Sequence, residues 1–179
     1  MDNLQEKIKS AATSFISNDS DLLYLNVHEQ SVSHRIAVHL ESLFLEPKLN
    51  VDCEYNKHLD DGKTVDLTEF LDIKNYKSCG CSTCRDIVKN RDVYRIDEKE
   101  FRPDILVHHR GHDDQNEVAI EIKKDHVCPF DVAKIKALTL SRQKGGSYGY
   151  KLGVFIYFND NKPCYIWFKN GSESVEMEC

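Results

Sequence analysis

From Arg102 to Lys123 the chain reads Arg-Pro-Asp-Ile-Leu-Val-His-His-Arg-Gly, a short polar stretch, then Glu-Val-Ala-Ile-Glu-Ile-Lys. Two apolar runs so close together, with a polar turn between them, read as paired strands. A strand sends successive side chains to opposite faces, so Glu121 and Lys123 share a face and Ile122 takes the other. Paired as a hairpin, the runs bring Asp104, at the start of the first, towards Glu121, at the end of the second. Two carboxylates and an ammonium then meet at one spot. Two carboxylates can hold a divalent cation, and the lysine can stabilise charge beside it. The competing reading is a structural ion network, or simply a solvated strand face. Against that, Val118-Ala119-Ile120 carries Glu121 into a core, where paired carboxylates repel and a cation relieves the cost.

Pro103-Asp104 and Glu121-Ile122-Lys123 together resemble the signature of the restriction-endonuclease-like nucleases, the PD-(D/E)-x-K superfamily. The likeness is to small uncharacterised bacterial members. It extends to a Glu-bearing first helix (Glu29), a strand at Asp52 to Asn56, the Arg102 to Ile105 run and a later strand at Tyr148 to Phe155. The loose match spans about residues 27 to 168, and its specific part is 102 to 123. The resemblance implies a core of one helix, three strands, a second helix and a further strand. It also implies a Mg²⁺-dependent (or Mn²⁺-dependent) nuclease hydrolysing phosphodiester bonds, with DNA as the expected partner. In that reading Asp104 and Glu121 ligate Mg²⁺ or Mn²⁺, with the Ile122 carbonyl as a further ligand. Lys123 orients water or stabilises the transition state, and Glu29 joins the catalytic set. A Glu in the first turn of a helix also has a plainer use, favouring the helix dipole.

Along the chain, apolar residues recur at helical spacing over residues 2 to 17 and from Glu29 to Leu45, where Pro47 ends the second helix. Val51 to Tyr55 alternates like a strand. Residues 57 to 100 are polar and form an insertion, with helical turns expected at Leu67 to Ile73 and Asp86 to Val93. After the two motif strands, Pro129 opens a helix with Asp131 as its expected N-cap. Lys151 to Phe158 and Cys164 to Lys169 read as strands around an Asn159-Asp160-Asn161 turn, and Gly171 to Cys179 as a loose tail. The expected fold class is α/β, a mixed central sheet flanked by helices, in one domain over residues 1 to 179 with a cysteine-containing insertion.

Acidic residues outnumber basic ones by 30 to 24, giving a net charge of −6, which argues against a protein that coats nucleic acid indiscriminately. Between Lys123 and Lys151, however, seven Lys and Arg face two Asp. Lys134, Arg142 and Lys144 in that segment are the expected nucleic-acid-binding residues. The chain shows neither a membrane-length apolar run nor the basic and apolar regions of a signal peptide, so the expected location is cytoplasmic, away from membranes. Cutting both strands of a duplex would favour a homodimer.

Seven cysteines in such a compartment argue against a disulfide framework. Cys53, Cys128 and Cys164 read as small core residues and Cys179 as an exposed chain end. Cys79, Cys81 and Cys84 fall within six residues around a glycine, which suits a tetrahedral structural zinc site. The fourth ligand is open between Cys53, His58, Cys128 and a cysteine of a second chain, and a loop of free or redox-active thiols is the alternative. The runner-up function is a catalytically inactive nuclease-fold module, binding or regulatory, with a zinc-stabilised interaction loop. A redox or zinc sensor built on the three cysteines ranks third.

Overall fold

The computed structural model describes residues 3–25, 27–45, 48–55, 57–58, 61–62, 64–65, 67–70, 73–89, 99–100, 102–112, 114–173 and 177–179. Three helices come first: α1 (Asn3–Asp19), the single turn α2 (Asp21–Tyr24) and α3 (Glu29–Glu41). Strand β1 (Asn50–Cys53) follows. The insertion carries two small strand pairs, β2 (Lys57–His58) with β3 (Asp61–Gly62), and β4 (Thr64–Val65) with β5 (Lys99–Glu100). Between the last two lie a 3-10 turn at Thr68–Phe70 and helices α4 (Ile73–Ser78) and α5 (Ser82–Lys89). The remainder is β6 (Ile105–His108), β7 (Val118–Lys123), α6 (Pro129–Thr139), a 3-10 turn at Arg142–Lys144, β8 (Leu152–Asn159), β9 (Lys162–Lys169) and β10 (Ser172–Glu173).

Six strands form one mixed sheet in the order β1-β6-β7-β8-β9-β10. The β7–β8 pair is parallel and every other pairing antiparallel. Parallel strands need a crossover, and α6 supplies it. Both faces of the central strands are covered, which is why their sequences are apolar throughout rather than alternating. On one face Ile105, Val107, Ile120, Ile122, Val154 and Trp167 pack against Ile8 and Phe15 of α1 and Val32, Ile36 and Leu40 of α3. Each fully buried side chain of that size contributes about 1.5–3 kcal/mol, so a few residues suffice to dock a helix. On the other face Leu106 and Ala119 meet α6 and the insertion, through Ala133, Leu138, Tyr76 and Ile87. Gly153 lets α6 settle directly on β8, since a Cβ there would lie 2.7 Å from Thr139 Cγ2.

The β8–β9 hairpin turns on Asp160 and Asn161, with φ of 47° and 62°, the left-handed pair that a two-residue turn requires. Several expectations need correction. Helix α3 stops at Glu41, short of Leu45, and Pro47 lies outside the described residues, as do 90 to 98. Asp131 is not the N-cap of α6; Cys128 is, and Asp131 sits inside the first turn. The tail is tied down rather than loose: Glu178 bridges to Tyr165, and Cys179 forms a disulfide with Cys164, which had been expected to be free. Cys53 is exposed rather than in the core. Among the described residues no helix is long and apolar enough to cross a membrane.

Candidate metal centres

Strand β7 ends between the N-termini of two helices, α3 and α6. The register pairs Ile105 with Ile120, which sets Asp104 opposite Glu121 at the next position of the ladder. Asp104 Oδ2 accepts the Ile122 N–H at 2.7 Å, so this carboxylate is fixed by the strand that carries its partner. Lys123 Nζ lies 2.9 Å from Glu29 Oε2 and 3.4 Å from Asp131 Oδ2. Lys134 Nζ lies 2.7 Å from Asp131 Oδ1 and 2.8 Å from Glu121 Oε1. The result is a chain of alternating charge, Glu29–Lys123–Asp131–Lys134–Glu121, with Asp104 beside its inner end. The Lys134 contact to Glu121 Oε1 is an ion contact rather than a directed hydrogen bond.

Burial decides the electrostatics here. Glu121 is 2% exposed, and burial together with the Asp104 charge pushes its carboxyl well above the usual range despite Lys134. Burial also raises Asp104, against the Ile122 N–H and the two lysines. Asp131 is buried too, yet Lys134 and Lys123 hold its carboxyl below the usual value. Both lysines move up: burial opposes their charge, but the carboxylates around them outweigh it. Four carboxylates and two ammoniums leave a charge of −2 when all are ionised, which a divalent cation matches.

The four residues expected to be catalytic, Glu29, Asp104, Glu121 and Lys123, are thus brought together. The three expected to bind nucleic acid are not. Lys134 is only 7% exposed and is committed to Glu121 and Asp131, because α6 turns it inward onto β7. Arg142 and Lys144 are exposed, but they lie beyond the far end of α6, where β8 begins beside Val118. Glu121 lies three residues further along β7 from Val118, about 10 Å of strand. Asp131 and Lys134 were missed as members of the site. Their spacing of three on a helix shows that the two can pair with each other, but not that they face β7. A cavity of about 240 Å³ lined by Gln30, Ser33, His34, Cys53, Glu54 and Asp104 opens towards Asp104 from between α3 and β1.

The second cluster begins at Cys128, the residue that caps α6. Cys79, Cys81, Cys84 and Cys128 place their sulfurs within 4.8 Å of one another. Cys128 Sγ lies 3.7 Å from Cys81 Sγ and 3.8 Å from Cys84 Sγ. Of the candidates for a fourth partner, the fold selects Cys128; the side chain of His58 is outside the described residues. The group could hold one metal ion. Burial and the neighbouring sulfurs push the Cys84 thiol up to about 12, and Cys128 rises further. Burial acts the same way on Cys81, but the Cys84 N–H and neighbouring thiols bring it below the ordinary value.

Compared with family models, curated proteins and solved structures, the chain matches none.

Proposed function

We propose that this chain is a Mg²⁺-dependent nuclease of restriction-endonuclease-like fold, hydrolysing phosphodiester bonds with DNA as its first substrate. The observation that carries the reading is the convergence of Glu29, Asp104, Glu121 and Lys123 on one sheet end, from positions up to 94 residues apart. The order α3, β1, β6, β7, α6, β8 also follows the helix, three strands, helix, strand sequence that the resemblance implies. The residues fit a hard divalent ion. Two buried carboxylates repel one another, and Glu121 Oε1 already rests against a cation, the Lys134 ammonium at 2.8 Å. Asp104 and Glu121 would hold the ion, which when bound supplies Lewis acidity and a more acidic water. Lys123 sets a cation beside the reacting phosphate, and Glu29 fixes that ammonium in place. Asp131 shares Lys123 with Glu29 and keeps Lys134 charged. We read the four-cysteine cluster as a structural zinc centre, the ion that four thiolates suit best.

One observation favours the runner-up, a module that binds without turnover. Lys134 already sits on Glu121, and the cavity near the site reaches Asp104 but has no lining from Glu121. For Asp104 and Glu121 to share an ion, Lys134 must lean towards Asp131. Incubating supercoiled, linear duplex and single-stranded DNA and an RNA with Mg²⁺, Mn²⁺ or chelator tests both readings. The nuclease reading expects metal-dependent cleavage that falls at least about 100-fold in Asp104→Asn and Glu121→Gln. Binding of DNA with no cleavage under any metal would establish the module instead.

A further inference from the structure

The thiol cluster and the carboxylate cluster are held by one helical turn. Cys128 is the N-cap of α6, and Asp131 and Lys134 follow it at three and six residues. The insertion reaches that turn through the sulfurs of Cys81 and Cys84 and through the Tyr76 hydroxyl, which meets the Pro129 carbonyl at 3.5 Å. We infer that zinc held by Cys79, Cys81, Cys84 and Cys128 is the strut that fixes the first turn of α6, so that its occupancy sets the placement of Asp131 and Lys134 around Glu121. The thiol geometry carries the centre by itself; only the consequence for cation binding rests on the nuclease reading above.

The sulfur spacing identifies the kind of occupant. In a tetrahedron with Zn–S bonds near 2.3 Å, the sulfurs stand about 3.8 Å apart. The two distances from Cys128 are 3.7 and 3.8 Å. Those values are too long for a disulfide, and with all four sulfurs within 4.8 Å of one another the group suits a single ion rather than a multi-iron cluster. There is also a way in. A cleft of about 510 Å³ beside Ser78, Cys79, Gly80, Cys81, His126 and Pro129 leads to the cluster. Gly80 leaves its mouth open, with no atom within 4 Å of where a Cβ would sit.

The ion pairs of Asp131 and Lys134 tie the side chains of the turn to β7, but its start is left to the thiols and the Tyr76 contact. The side chain of its capping residue, Cys128, meets the helix only through its sulfur at Asp131, and thiol contacts are weak. A zinc ion would replace them with four bonds that tie α4, α5 and α6 at one point. On loss of the ion, the apolar contacts of Tyr76 and Ile87 with Ala133 and Leu138 remain, so the insertion loosens at its tip rather than leaving.

The test uses the full chain purified without added metal. Elemental analysis should find one zinc per chain, and Co²⁺ exchanged into the site should show thiolate charge-transfer absorption. Hydrogen exchange is then compared between the zinc-loaded protein and protein stripped by a mercurial and chelator, with Cys81→Ser as a second route to the empty site. Exchange should rise at least about tenfold in residues 128 to 134 and stay unchanged in β8 and β9. The buried Trp167, on the opposite face, confirms by its fluorescence that the fold survives. Absence of zinc with no Co²⁺ thiolate absorption, or iron in its place, would overturn the centre. Unchanged exchange at 128 to 134 on zinc loss would overturn the strut. Mn²⁺ binding is followed on the same samples by electron paramagnetic resonance. Failure of Mn²⁺ to bind the zinc-loaded protein would count against the nuclease reading alone, and leave the strut to be judged by exchange.

Discussion

Lys134 is the side chain whose position most changes the chemistry of the site. Its ammonium bridges Glu121 and Asp131 in a pocket where neither carboxylate meets water freely. Removing one partner from a buried ion pair costs about 3–5 kcal/mol, because the other charge is left without compensation. Lys134→Met should therefore lower stability by about that amount in the absence of metal. On the nuclease proposal it also removes the ammonium that would compete with a cation for Glu121. Added Mg²⁺ should restore more stability to the variant than it gives the parent, as read from urea unfolding with and without the ion. Equal stabilisation of both would leave Lys134 no place over the cation site. At this scale Asp104, Glu121 and Lys123 were legible in the sequence, because a strand's period of two fixes which residues share a face. Lys134 was not: whether a helical lysine turns inward depends on how the helix rolls on the sheet, and that follows from the gap at Gly153, which no local pattern around Lys134 records.

Among elements, the edge strand β1 is held to β6 by more than its ladder. Asp52 accepts from Arg110 Nε at 2.7 Å and lies 3.0 Å from His108 Nε2. Burial works against the Asp52 charge, but the Arg110 and His108 bonds prevail and bring its pKa down to about 2 from 3.8. A depressed carboxylate contributes stability that is present above the unfolded value and lost as pH falls towards the folded one. Here that loss runs from about pH 4 down to about 2 and amounts to roughly 2 kcal/mol. Asp52→Asn should remove that part of the acid-unfolding curve and leave the rest of it in place. Acid transitions that superimpose for variant and parent would refute the clamp. The second element-level test concerns α6 on β8. Gly153→Ala places a methyl against Ile135 and Thr139, and overpacking of this kind costs about 1–3 kcal/mol. Chemical unfolding that gives no measurable loss would show that α6 has room to shift. Strand β7 was read from sequence to its last residue, since apolar content and the motif bound it at both ends. The C-terminal end of α3 and the status of the tail were not, because they are set by contacts distant in sequence.

For the molecule as a whole, the chain's two ends are tied into one face. Glu178 pairs with Lys9 of α1 at 2.7 Å, and Cys179 is bonded to Cys164 of β9 across 15 residues. A loop of 15 residues closed by a disulfide is worth about 3 kcal/mol in the chain-entropy account. Cys179→Ser, or reductant on the parent, should cost up to that much in urea unfolding, with no further loss when the two are combined. The expectation of free thiols came from compartment and count, and neither says which cysteines the sheet will bring together. The sheet has one more consequence, in time rather than space. Strands β6 to β9 are neighbours in the sheet in the same order as in the chain, and their longest connection, the α6 crossover over residues 124 to 151, is still shorter than the return of β1. Strand β1 must return to β6 across residues 54 to 104, a slower encounter. Helix α3, which packs beside β1, brings Glu29 with it. Lys123 belongs to the half that assembles early and Glu29 to the half that assembles late. A newly made chain is therefore expected to pair β6 to β9 first, and to bring Glu29 to Lys123 only when α3 and β1 have docked.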